Sequence, residues 1–225
     1  MNLTLFHGSD HIVEAPAFGA GKPYNDYGRG FYCTEHIDMA CEWAVGFDHD
    51  GFANEYRFDQ DGLNIVDLNA PGLTVLHWLS VLLQNRWFDV RAPLANEARA
   101  YLVARFDVDL SDADVVTGYR ADDSYFTFAQ DFINGAISYR QLSNAMRLGD
   151  LGKQVMVRSE RAFERLKFVK AHAAPRSIWL PRREQRDRAA RTRYFDHERN
   201  ARRKNDLFIT TIIDENVGPD DARLR

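Results

Sequence analysis

Alternating apolar and polar positions, together with runs of β-branched and aromatic residues, predict a series of short strands. The first strand carries Leu3, Leu5 and Phe6 and ends at the turn formed by Gly8-Ser9. The turn sequence at residues 60–62 (QDG) predicts a hairpin between the strands on either side of it. The strands predicted after the first cover residues 31–32, 53–59, 63–68, 114–119, 154–158, 167–171 and 207–213.

Apolar residues at helical spacing predict the helices, which occupy most of the middle of the chain. Over residues 73–85, leucines such as Leu76, Leu79 and Leu83 predict a core helix. Ser138 is a suitable N-cap for a helix over residues 139–148. Further predicted helices cover residues 35–45, 95–106, 122–132 and 160–166, and a loop rich in Gly, Pro and Asn fills residues 15–30.

The order of these elements indicates the fold class. Strands at the start, helices in the middle and strands again near the end predict an α+β fold. A chain of 225 residues with 45% hydrophobic residues is long enough to bury one sizeable core. We therefore predict one domain over residues 1–174 and a C-terminal extension of a helix and a strand over residues 175–225, packed on the same domain.

The composition favours a cytoplasmic protein without a membrane segment. No stretch provides the roughly 18 consecutive apolar residues of a membrane-spanning helix, and the start lacks the pattern of a secretory signal. Cys33 and Cys41 are too few for a disulfide framework or a cysteine-rich metal site. The histidines show no paired ligand spacing, so we expect no metal.

Charge is distributed unevenly along the chain, whose formal net charge is −4. Residues 182–204 contain ten Arg and Lys against four Asp and Glu. Such a stretch can form a surface for an acidic partner such as nucleic acid. The more common alternative is a solvated helix with interleaved charges.

Three separated segments carry residues suited to chemistry. They are Phe6-His7-Gly8-Ser9, the segment GRGFY that ends at Tyr32 eleven residues before Trp43, and Gln154 at the start of a late strand. Taken alone, a histidine at a strand end is usually a packed or solvated side chain, and Gly-x-Gly is usually a plain turn. The glycines do not form a Rossmann fingerprint, because no third glycine follows and no helix begins there.

Taken together and in order, these segments resemble a known family. LFHGS followed by GRGFYCTEHIDMACEWA resembles the His-Tyr-Glu branch of the ADP-ribosyltransferase superfamily, which includes the poly(ADP-ribose) polymerases and diphtheria toxin. NDYGRGFY, GYRADDSY and the Gln-Val strand also resemble a group of small uncharacterised bacterial proteins (DUF3990-like). The resemblance covers about the first 170 residues. It implies a split β-sheet core with surrounding helices.

The resemblance assigns roles around a bound NAD molecule, which would be a substrate. It places His7 on a hydroxyl of the adenosine ribose and the Gly8 backbone against the nicotinamide amide, where a Cβ would hold the ring away. Ser9 would bond the same amide. Tyr32 would stack on one face of the nicotinamide, and Trp43 would close the other face.

The third motif departs from the family pattern, because Gln154 stands where the family has a glutamate. An amide keeps a hydrogen bond to the nicotinamide ribose but cannot stabilise the positive charge that develops as nicotinamide leaves. We expect Asp123 to supply that charge or to accept the target's proton, with Asp122 beside it and Tyr125 lining the acceptor side. The alternative is that Asp122 only caps the following helix.

The loop before Tyr32 contains further polar candidates. Asn25, Asp26 and Arg29 lie where members of the family contact the pyrophosphate or the adenine. Arg29 is suited to pairing with a phosphate. An arginine on a solvated turn is the alternative interpretation.

The resemblance implies a mono-ADP-ribosyltransferase that uses NAD to modify a macromolecule, either a protein or a nucleic acid. A bacterial toxin with a small antitoxin partner is one form that such an enzyme takes. Two other functions remain open at this point. One is a module that binds NAD or ADP-ribose without turnover, and the other is an NAD glycohydrolase in which water replaces the acceptor.

Overall fold

One mixed β-sheet runs through the protein. The computed structural model describes residues 2–121, 123–148 and 152–224, and it does not describe the side chains of Asp123 and Ser124. Within these ranges the sheet has seven strands in the order β4-β5-β6-β2-β1-β3-β7. β4 and β5 are parallel, and the other neighbours are antiparallel. The strands are β1 (Asn2–Ser9), β2 (Phe31–Thr34), β3 (Gly51–Asp59), β4 (Ile65–Asp67), β5 (Val115–Gly118), β6 (Gln154–Val157) and β7 (Leu166–Ala174).

The sheet is weakly joined at its middle. β1 and β2 share the single aligned pair Phe6 and Thr34. In contrast, β1 aligns with β3 along its whole length, from Asn2 opposite Asp59 to Ser9 opposite Phe52. We call the boundary between β1 and β2 the seam. It separates a half formed by β4, β5, β6 and β2 from a half formed by β1, β3 and β7.

Helices cover the sheet and complete the α+β fold that the element order predicts. Ser138 caps α5 as expected, because its hydroxyl accepts from the Gln141 backbone N–H while the Gln141 side chain accepts from the Ser138 N–H. Among the described residues, every helix is too short or too polar to cross a membrane. The helices are α1 (Ile37–Ala44), α2 (Val75–Asn85), α3 (Pro93–Arg105), α4 (Asp123–Ile133), α5 (Tyr139–Ala145), α6 (Glu160–Phe163), α7 (Arg176–Arg193) and α8 (Ile209–Asp214).

The main core forms around α2. Residues 75–83 of this helix are all buried, which agrees with the apolar spacing of its leucines. Trp78 is fully buried, and its indole N–H donates to the Tyr119 carbonyl at 2.9 Å. Side chains of α3, α4, α5 and α8 pack into the same cluster. A second cluster on the sheet contains Leu5, Tyr56 and Phe58.

Three details of the predicted secondary structure are wrong. Gly8 and Ser9 do not end β1 but continue it, because both lie opposite residues of β3. The turn after Gln60 forms, since the Leu63 N–H donates to the Gln60 carbonyl at 3.2 Å. The strands on either side of it do not form a hairpin, because β3 and β4 lie in different halves of the sheet.

The third error concerns residues 207–213, which were predicted as a strand because they are rich in β-branched residues. The segment instead forms helix α8, and Ile209 and Ile212 are both fully buried in the main core. Their spacing of three residues places them on one helical face. Packing of that face therefore overrides the β propensity of the side chains.

The basic segment after residue 175 contacts the preceding part of the chain. Arg186 forms an ion pair of 2.7 Å with the buried carboxylate of Glu42 in α1. Arg183 donates to the Val45 carbonyl at 2.9 Å. The Tyr194 hydroxyl donates to Asp131 in α4 at 2.7 Å. These arginines of α7 therefore bind groups of the same protein.

Candidate functional site

A cleft of about 740 Å³ lies beside the seam. This volume is within the range of about 300–1,000 Å³ that is common for small-molecule sites. Its walls come from β1, β2, α1, β6 and the loop before β2. The cleft brings together six of the residues selected from the sequence, which are His7, Asn25, Asp26, Tyr32, Trp43 and Gln154.

His7 links the two sides of the seam through its imidazole. Its Nδ1 lies 2.7 Å from the Tyr32 carbonyl oxygen, and its ring packs against Phe31 with centroids 4.2 Å apart. A carbonyl oxygen only accepts, so Nδ1 must carry the proton. Burial lowers the pKa of His7, so the ring is neutral near pH 7 and its Nε2 is an acceptor.

Tyr32 uses its hydroxyl to hold the preceding loop. The hydroxyl donates to the Gly28 carbonyl at 2.7 Å and accepts from the Tyr27 N–H at 3.0 Å. Burial also raises the pKa of Tyr32, so the hydroxyl stays protonated. The group that Tyr32 offers to a ligand is therefore the face of its ring and not an acid or base.

Trp43 and Arg120 form a stacked pair in the cleft wall. The Arg120 guanidinium lies 3.9 Å from the centroid of the Trp43 ring, at cation–π distance. The buried Nε1–H of Trp43 has no acceptor among the described residues. Arg120 therefore covers one face of the indole and brings a positive charge to the cleft.

Asp26 and Gln154 meet at the inner wall of the cleft, and both are buried. The Gln154 Nε2 and the Ala121 backbone N–H each donate to Oδ2 of Asp26 at 3.1 Å. Arg86 lies 3.6 Å from Oδ1 of the same carboxylate. Burial raises the pKa of Asp26, although these donors and the nearby arginines partly oppose the shift.

Four other residues selected from the sequence lie outside the cleft lining. Gly8 packs against α1, where an added Cβ would lie 2.9 Å from the Ala44 nitrogen. Close approach of a helix therefore explains this glycine without a ligand. The Ser9 hydroxyl donates to the His11 carbonyl at 2.6 Å and accepts from Asn54 at 2.9 Å.

Arg29 and Tyr125 are the other two selected residues that lie outside the cleft lining. Arg29 is exposed and donates to the Gly19 carbonyl at 2.6 Å. Tyr125 is buried and lines a separate cavity of about 220 Å³, which shares Arg120 with the cleft. Asp123 is the first residue of α4, and Asp122 lies outside the described residues.

Sequence reasoning missed the three cations of the cleft, Lys22, Arg86 and Arg120, and gave Asp26 a different role. Arg86 directly follows α2, and Arg120 is the second residue after β5, within GYRADDSY. The sequence offers one weak signal for these two arginines, which is that each stands just after a buried helix or strand. Asp26 was considered as a contact to the pyrophosphate or adenine, whereas its carboxylate contacts Gln154.

The cleft combines several kinds of recognition. It offers aromatic faces, a neutral imidazole acceptor, two amides, one carboxylate and the cations Lys22, Arg86 and Arg120. Across the ranges that the structure describes, His, Cys, Asp and Glu form no group of three or more that could hold a metal ion. The arrangement suits a flat ring joined to an anionic group.

A family model with the description "Protein of unknown function (DUF3990)" matches residues 3–168. The matched segment begins in β1 and ends in β7, so it includes both sides of the seam. The comparisons with curated proteins and with solved structures give no match.

Proposed function

The chain belongs to the DUF3990 family, and we propose that it binds NAD in the cleft and transfers one ADP-ribosyl group to a macromolecular acceptor. One observation carries this proposal. His7, Tyr32, Trp43 and Gln154 come from separate parts of the chain and line the same cleft. They occupy the positions at which the resemblance to the ADP-ribosyltransferases places the residues around NAD, with Gln154 in place of the glutamate of the family.

The chemical groups of NAD match the groups of the cleft wall. The acceptor Nε2 of His7 suits a ribose hydroxyl, and the face of Tyr32 suits the nicotinamide ring. Arg120 and Lys22 suit the pyrophosphate, because charged donors bind phosphate oxygens strongly. Gly8, Ser9 and Arg29 do not line the cleft, so the NAD contacts proposed here are assigned without them.

The proposed reaction breaks the bond between nicotinamide N1 and ribose C1′. The electron pair of that bond goes to N1, which neutralises the pyridinium, and positive charge builds up on the ribose. A lone pair of the acceptor then forms a bond to C1′, and the acceptor loses its proton. The products are ADP-ribosyl acceptor, nicotinamide and one proton. The low cysteine content is consistent with a cytoplasmic location for this reaction.

The test is an incubation of the purified protein with cell extract and NAD labelled in its ADP-ribose part. We expect free nicotinamide together with label on protein or nucleic acid. Nicotinamide without transferred label would instead identify a glycohydrolase. Binding of NAD without nicotinamide release would identify a binding module, and absence of both would refute NAD as the ligand.

Two variants connect that assay to the cleft. His7→Ala and Tyr32→Ala should each abolish the thermal stabilisation that NAD gives to the wild type, which is about 2.7 kcal/mol at 100 times Kd. His172→Ala is the matched control, because His172 pairs with Glu55 at 2.6 Å outside the cleft. Unchanged stabilisation of both cleft variants by NAD would contradict the proposed binding site.

A further inference from the structure

The contact between Asp26 and Gln154 fixes how the amide is oriented. An ionised carboxylate oxygen only accepts, so the Gln154 atom 3.1 Å from Oδ2 of Asp26 is the donating Nε2. The Gln154 carbonyl oxygen then points away from Asp26. The side chain thereby presents an acceptor, as a glutamate would, and leaves the negative charge to its neighbour.

Asp26 is also the one acidic residue among the described residues that line the cleft. Departure of nicotinamide leaves positive charge on the ribose, and a nearby carboxylate in a poorly hydrated site stabilises such charge strongly. Arg86 lies 3.6 Å from Oδ1, on the oxygen that Gln154 does not contact. Arg86 therefore pairs with one oxygen of the Asp26 carboxylate, and Gln154 bonds the other.

We propose that Asp26 and Gln154 work as a pair, in which Gln154 binds a ribose hydroxyl through its carbonyl oxygen and Asp26 supplies the negative charge for nicotinamide departure. This inference rests on the proposed function. Asp26 acts through Gln154 and through the field at the ribose, so it is a positioning and charge-stabilising residue. Electron flow is that of the proposed reaction, and Asp26 neither gains nor loses a proton.

The cost of holding this carboxylate in the protein agrees with such a role. Burial raises the pKa of Asp26 above its ordinary value of 3.8. A group with a raised pKa in the folded state opposes folding once the pH exceeds that ordinary value, because the unfolded chain ionises more easily. Ionisation of Asp26 therefore lowers the stability of the fold at neutral pH, while contacts with Ala121, Gln154 and Arg86 hold the carboxylate in place. The melting temperature of Asp26→Asn is measured beside its kcat, so that a loss of folding is not mistaken for a loss of catalysis.

The test measures steady-state nicotinamide release by the full chain with NAD. We expect Asp26→Asn to lower kcat on the order of 100-fold, with KM for NAD near the wild-type value, because binding contacts remain. The double variant Asp26→Asn/Gln154→Glu moves the charge to the other member of the pair. It should recover most of the lost kcat, which a purely structural role of Asp26 would not produce.

Asp114→Asn is the matched control, since Asp114 is a buried carboxylate that Arg161 pairs with outside the cleft. It should lower the melting temperature and leave kcat unchanged. If Asp26→Asn keeps the wild-type kcat, or if the double variant is as slow as Asp26→Asn, the inference is overturned while the proposed function stands. If the wild type releases no nicotinamide, both are overturned.

Discussion

Replacing Gly8 with alanine tests whether the close approach of α1 or contact with NAD requires a glycine at this position. In the structure, a Cβ at this position would lie 2.9 Å from the Ala44 nitrogen and closer still to the Ala40 carbonyl oxygen. Both atoms belong to the backbone of α1, so no side chain can rotate away. Ordinary contact begins near 3.4 Å, so the helix must withdraw by at least about 0.5 Å.

The expected size of the effect follows from this crowding. Inserting a carbon into a packed interior costs about 1–3 kcal/mol. Each kcal/mol corresponds to roughly 2–4 °C in melting temperature for a chain of this length. Because α1 also carries Trp43 into the cleft, the same displacement should weaken NAD binding.

The assay is urea unfolding of the apo protein, followed by thermal unfolding with and without NAD. Gly218→Ala is the control, because among the described residues its Cβ would meet only the Arg105 guanidinium, at 3.4 Å. We expect Gly8→Ala to lose stability without any ligand. An apo protein as stable as the wild type, with only NAD binding lost, would show that the ligand and not α1 requires the glycine.

The remaining predictions concern charge and thiols. Arg161 holds the pKa of Asp114 below its ordinary value of 3.8, so the ionised carboxylate stabilises the fold above that pH and this stabilisation declines as the pH falls. Asp114→Asn should therefore cost about 1–3 kcal/mol near pH 7 in urea unfolding, and a cost that stays constant down to about pH 2.5 would contradict the reasoning. Cys33 and Cys41 are free and buried, and burial raises the pKa of the Cys41 thiol to about 11. A chromogenic thiol reagent should react with both cysteines only after unfolding, so rapid reaction of the native protein would be evidence against their burial.

Local patterns in the sequence correctly predicted those elements that depend on residues close together in the chain. The leucines of α2 and the cap at Ser138 depend on neighbours within one or two turns, and both predictions are confirmed. The hairpin after Gln60 and the strand over residues 207–213 were wrong because strand pairing and burial are decided by distant parts of the chain. A turn signal fixes the turn but not the partner of the next strand.

In the candidate site, too, residues of short motifs could be selected from the sequence, whereas contacts between distant residues could not. His7, Tyr32 and Trp43 belong to short motifs whose order in the sequence was informative. Asp26 and Gln154 are separated by 128 positions, and no spacing rule connects them. Their contact depends on the path of the loop before β2, which Tyr32 holds through Gly28 and Tyr27.

The single aligned pair between β1 and β2 leaves few backbone hydrogen bonds between the two halves of the sheet. Bending along the seam would therefore disturb little of the sheet, yet it would change the distance between His7 on one side and Gln154 on the other. A ligand that contacts both sides would restrict such bending, so occupancy of the cleft and rigidity of the sheet would rise together.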